Sequence, residues 1–170
     1  MCSLAVLLLF ASVAAAQHTS PYVGEEQRPI KSLSEQEVAD LREGNGMGFA
    51  KPAELNGYPG PKHVLELAEK LALTAGQRQK IEAEFTSMKA ESRELGSQVI
   101  AAELELEKLF AAAQASELEV SLASMKAAEL RGKLRAAHLK AHITTTRLLT
   151  AEQAQQYKRL RGYADGHQHH

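Results

Sequence analysis

The stretch "LTAGQRQKI", Leu73 to Ile81, decides how this chain folds, because it returns near the other end as "LTAEQAQQY", Leu149 to Tyr157. Thr74 and Thr150 are good helix N-caps, and each is followed at the third position by a glutamine, Gln77 or Gln153. That spacing is the capping box: the threonine oxygen accepts an orphan N–H of the first turn, and the glutamine reaches back to the N–H of the cap. Leu73 and Leu149 precede the caps and staple the chain to the turn that follows. Each copy therefore starts a helix.

Downstream of the first copy, apolar and small residues from Ile81 through Met88, Leu95, Val99 and Ala102 to Leu109 step by 4 and 3. This is the seam of a long amphipathic helix, about Ala75 to Ala112. "AAQASELE" breaks it, and Ser116 with Glu119 forms another capping box. A second long helix follows, its seam running from Ala123 through Leu130, Leu134 and Ala141 to Thr144 and Leu148. The second LTAxQ then opens a last short helix to about Arg161. Upstream, Ser34 with Glu37 caps a short helix ending at Gly44, and another is expected over about Lys62 to Leu71. Between them lies "GNGMGFAKPAELNGYPGP", residues 44–61, rich in glycine and proline and expected to be irregular. The fold class is all-α: a long antiparallel helical hairpin with two short flanking helices. Residues 17–61 read as a flexible N-terminal arm carrying one short helix, residues 62–163 as the hairpin domain, and residues 164–170 as a loose histidine-containing tail.

Composition agrees. The chain has 170 residues, 44% hydrophobic but only 5% aromatic, and Ala, Leu, Glu, Lys and Gln dominate, as in long helices. A net charge of −1 gives no argument for nucleic acid. There is no P-loop, GxGxxG, CxxC or haem motif, and no nucleophile–base grouping stands out, so an enzyme is not expected. Residues 1–16 stand apart: the run "LAVLLLFASVAAA" ends in Ala14-x-Ala16 before Gln17, which fits a cleaved signal peptide and is short for a membrane span. The single cysteine, Cys2, would leave with it. An exported chain without a thiol must hold itself together by packing or association. The hairpin stripes are rich in alanine and bury little area, so a homodimer is expected to complete the core.

Two LTxxQ motifs bracketing a helical hairpin in an exported, cysteine-free protein resemble the Spy/CpxP family of periplasmic stress proteins, whose relatives include ZraP and CnrX. The resemblance covers about Lys62 to Tyr163 and rests on Leu73, Thr74, Gln77, Leu149, Thr150 and Gln153. It implies a cradle-shaped homodimer in the periplasm and ATP-independent chaperone or envelope-stress adaptor activity towards unfolded or envelope proteins. A sensor kinase or an anti-sigma factor is the signalling partner it suggests, and heavy-metal binding is the alternative function. The motif residues themselves are read as structural.

The metal alternative has candidate ligands. In "RAAHLKAH", His138 and His142 stand at i and i+4, a spacing that suits chelation of Zn, Cu, Ni or Co. On a helical wheel they fall about 80° and 120° from the centre of the seam, at its boundary. Leu139 follows His138, so the general base of an HExxH enzyme is missing. His63 and Glu66 complete a site if their helix folds back on the hairpin, and His167, His169 and His170 offer a further cluster in the tail. The second long helix is also cationic, with Lys126, Arg131, Lys133, Arg135, Lys140 and Arg147 against Glu117, Glu119 and Glu129. Leu139 and Ile143 lie away from its seam. Cations beside exposed aliphatics suit either capture of unfolded chains or a dimer interface.

Overall fold

The computed structural model of the chain describes residues 19–113 and 115–163. The leader, Cys2 and the tail histidines lie outside them. Every element among the described residues is helical: a short 3-10 turn at Glu25–Gln27, then α1 (Glu35–Glu43), α2 (Lys51–Leu55), α3 (Pro61–Glu66), α4 (Ala75–Ala111), α5 (Glu117–Leu148) and α6 (Ala151–Leu160). Helices α4 and α5 pack side by side as the hairpin. At about 1.5 Å per residue they run about 55 Å and 48 Å. All four capping boxes form, at Ser34, Thr74, Ser116 and Thr150. Gly44, with φ 64°, closes α1 by a Schellman turn in which the Asn45 amide donates to the Asp40 carbonyl at 2.8 Å.

The start of α4 and the end of α5 lie at the same end of the hairpin, so the two LTAxQ motifs meet. The Gln77 side-chain amide donates to Gln153 Oε1 at 2.8 Å, and Gln153 donates back to Gln77 Oε1 at 3.1 Å. Each nitrogen also reaches a backbone carbonyl, that of Leu148 at the end of α5 from Gln77 and that of Leu71 in the turn before α4 from Gln153. The same oxygens accept the amides of Thr74 and Thr150. Each glutamine thus caps its own helix and ties it to the other. Val64, Leu71, Ile81 and Tyr157 form the apolar cluster at this end.

The expected helix over 62–71 is shorter: α3 stops at Glu66, and turns carry the chain to Ala72, whose φ is 48°. Val64, Ala68 and Leu71 are all buried. The irregular stretch 44–61 likewise gains a short helix, α2, with Pro52 in its first turn.

Upstream, the N-terminal segment packs where a loose arm was expected. Ile30, Leu33 and Leu41 are buried with Val99, Leu130 and Leu134 in a second core cluster. Three well-spaced apolar residues outweigh the polar composition of the segment, each worth about 1.5–3 kcal/mol when fully buried. The C-terminal end of α1 sits directly on α4 at Gly96, where an added Cβ would lie 2.0 Å from the Leu41 carbonyl oxygen.

Gly96 exposes a second difference. The buried line of α4 is Ile81, Met88, Ser92, Gly96, Val99 and Glu103, and that of α5 is Ala127, Leu130, Leu134, Ala137, His138, Ala141 and Thr145. The strict 4 and 3 stepping placed Leu95, Ala102 and Thr144 on the seam, each one residue early. A straight α-helix drifts about 20° per heptad against a seven-residue repeat. The burial instead follows the 11-residue repeat of a helix wound at about 3.67 residues per turn: Ile81, Ser92 and Glu103 on α4, and Ala127 with His138 on α5.

Candidate functional site

That drift moves His138 from the boundary into the seam. It is 3% exposed, against the wheel position expected from the sequence. Its Nε2 lies 3.3 Å from the hydroxyl of fully buried Ser92, and the Phe49 ring stands tilted over it with centroids 5.9 Å apart. Burial, with a smaller electrostatic contribution from His142 and Lys89, pushes the imidazole down to about 4. At neutral pH His138 is therefore uncharged. The Ser92 contact satisfies two buried polar groups inside the hairpin.

His142, one turn on, is held from the loop side. Its Nδ1 lies 2.7 Å from the Tyr58 carbonyl oxygen. A carbonyl only accepts, so Nδ1 carries the proton and the neutral ring keeps its lone pair on Nε2. That nitrogen faces Gly60, where an added Cβ would come within 2.6 Å. Glycine at 60 is required by this close approach. His63, on α3, lies 2.8 Å through Nδ1 from Glu66 Oε2, and this hydrogen bond holds the Glu66 carboxyl below the usual range.

His63, His138 and His142 border one half-open cavity of about 420 Å³, between α4, α5 and the loops at 44–46 and 60–63. The fold-back suggested for the α3 residues thus takes place for His63, whereas Glu66 is not among the cavity's lining. Phe85, Met88 and Lys89 come from α4. The Lys89 ammonium donates to the Glu43 carbonyl at 2.7 Å, the Gly44 carbonyl at 3.3 Å and Asn45 Oδ1 at 2.8 Å, tying the C-terminal end of α1 to the hairpin. Burial, then the charge of Arg93, lowers its pKa. Among the described residues no group of three or more His, Cys, Asp or Glu side chains stands close enough to hold a metal ion.

Sequence reasoning missed the polar hub beside this cavity. Glu54, in the glycine- and proline-rich stretch, accepts the hydroxyls of Tyr157 at 2.6 Å and Tyr163 at 3.2 Å and the Gly60 amide at 3.3 Å. Arg161 Nε stands 3.6 Å away and His142 Nδ1 3.8 Å. Burial and the Glu54 hydrogen bond raise the Tyr157 hydroxyl well above its ordinary value. No local spacing predicts a carboxylate that bridges α2 to a chain end 103 positions away. The one acid of the stretch 44–61 is the only available signal.

The apolar surface also differs from expectation. Leu139 and Ile143 line a shallow groove with Pro52, Ala53 and Tyr58, so the chain itself covers part of that face. The most exposed large apolar side chains of the hairpin lie at its tip: Phe110, Leu118, Leu122 and Met125, between 54% and 69% exposed. Leu118, Leu122 and Met125 step by 4 and 3 on the face of α5 opposite its buried line. No helix of the described residues is long and apolar enough to cross a membrane.

No protein-family model matches the chain, and no curated protein or solved structure matches it.

Proposed function

We propose that this chain is an exported, ATP-independent chaperone or envelope-stress adaptor of the Spy/CpxP kind, which holds unfolded or partner polypeptides on its hairpin and works in the periplasm as a cradle-like homodimer. The observation that carries this reading is the exposed stripe of Leu118, Leu122 and Met125 with Phe110 at the hairpin tip. Large apolar side chains grouped on a helix surface mark a site of contact with other chains. The meeting of the two LTAxQ motifs supports a family-like hairpin, with the motif residues as its fastening. The test is suppression of light scattering by a reduced, aggregating client without nucleotide. Replacing Leu118, Leu122 and Met125 together by serine should abolish suppression and leave helicity and Tm unchanged. Full suppression by that variant would refute the reading. Sedimentation equilibrium at micromolar concentration should give twice the chain mass.

A second reading, metal binding, has one observation in its favour: His63, His138 and His142 border the same cavity. Titration with Zn, Cu, Ni or Co, comparing the chain with a His138→Ala, His142→Ala variant, decides it. Submicromolar binding lost in the variant, with no effect on aggregation by either protein, would put this reading in place of the first.

A further inference from the structure

The charge of the cavity points away from a cation. Two ammonium groups, Lys62 and Lys89, and three imidazoles line it, and no Asp or Glu does. Lys89 has its N–H groups directed at Glu43, Gly44 and Asn45, so it contributes field more than a free donor. Lys62 is exposed at the rim and only loosely paired with Glu66, at 3.9 Å. A metal ion here would sit beside two ammonium groups with no carboxylate in the lining itself, Glu66 and Glu54 standing outside it, whereas an anion meets the Lys62 ammonium at the rim. The rest of the wall is apolar: Phe85 and Met88 from α4, Pro61 and Ala50 from the loops. A volume of about 420 Å³ falls within the range of roughly 300–1,000 Å³ usual for small-molecule sites, which pair an apolar wall with a few placed polar groups.

We propose that this cavity binds a small organic acid, its carboxylate at the Lys62 and His63 rim and its apolar body against Phe85 and Met88. The site is separate from the α5 stripe and does not depend on the chaperone reading. It competes with metal binding for the same space. An inorganic anion shares the charge but not the apolar body, so the two chemistries separate in one experiment.

The full chain is titrated with benzoate, acetate, inorganic phosphate and zinc by calorimetry, with the histidine ring signals followed by NMR. Benzoate should bind one per chain with a Kd of about 1 mM or tighter. It should shift the His138 and His142 ring signals, with acetate and phosphate at least tenfold weaker. Lys62→Gln combined with His63→Gln should weaken benzoate at least fivefold at unchanged Tm, since both side chains stand at the exposed rim. Phe85→Ala should lower benzoate affinity and leave the weak acetate response alone. Benzoate binding without histidine shifts, or phosphate binding as well as benzoate, overturns the proposal. So does zinc moving those signals where benzoate does not. Because no client takes part, failure here leaves the chaperone reading standing, and the reverse also holds.

Discussion

At the scale of single residues, Gln77 and Gln153 act as one unit. Each oxygen accepts a cap amide, and each nitrogen reaches the other motif and a backbone carbonyl. Thr74→Ala should cost about 1 kcal/mol, the ordinary worth of an N-cap. Gln77→Ala and Gln153→Ala should each cost more, and their double-mutant cycle should show coupling of about 0.5–3 kcal/mol, because removing either leaves the other partly unsatisfied. Additive losses in urea denaturation would show that the two motifs fold independently. His138 sets a second expectation. Its folded value of about 4 lies below the roughly 6.5 of an unfolded chain, so between those values the unfolded state binds the extra proton. Stability is therefore intact above about pH 6.5 and falls as pH drops towards 4, with no further loss from this group below that. The shift corresponds to about 3 kcal/mol at most. His138→Gln should flatten the pH dependence of the urea midpoint across that window.

Among the elements, α1 rests on one close contact. Gly96 admits the Leu41 carbonyl to the surface of α4, and Leu41 itself is 1% exposed. Gly96→Ala should improve helix propensity locally yet destabilise the fold by about 1–3 kcal/mol, because the helices must separate. Amide exchange would show it: protection should fall in α1 and persist at the Gln77–Gln153 end. The boundaries of α1, α4, α5 and α6 were legible in the sequence because capping is local chemistry, and Ser34, Thr74, Ser116 and Thr150 each sit three residues before their Glu or Gln partner. The buried line was legible in large part: Ile81, Met88, Ser92 and Val99 on α4 and Ala127, Leu130, Leu134, Ala137 and Ala141 on α5 all fall on the 4 and 3 stepping. Gly96, Glu103, His138 and Thr145 lie one residue past it, because a straight helix drifts against a seven-residue repeat. The Glu54 hub, the docking of α1 and the shared cavity depend on contacts between distant segments that no periodicity encodes.

For the whole molecule, the balance between apolar and ionic attraction decides how a captured chain would be held. Half of the α5 cations are answered within the protein: Lys126 and Lys133 share Glu129, and Arg131 pairs with Glu103 at 3.0 Å. Arg135, Lys140 and Arg147 make no ion pair among the described residues. Exposed charges act only within about 8–10 Å at physiological ionic strength. The three-residue stripe of α5 offers about 5–9 kcal/mol if each side chain were fully covered, against roughly 4–15 kcal/mol lost on association. Contact through it is therefore weak and reversible, which lets a bound client continue to fold. Raising the salt from 0.05 to about 0.5 M should weaken capture of an acidic client only two- to threefold by fluorescence anisotropy, since exposed ion pairs to the three unpaired cations are each worth little. The Leu118, Leu122 and Met125 serine variant should lose capture at every salt concentration. If instead salt abolishes binding and the serine variant retains it, the ionic face of α5 is the working surface and the apolar stripe is incidental.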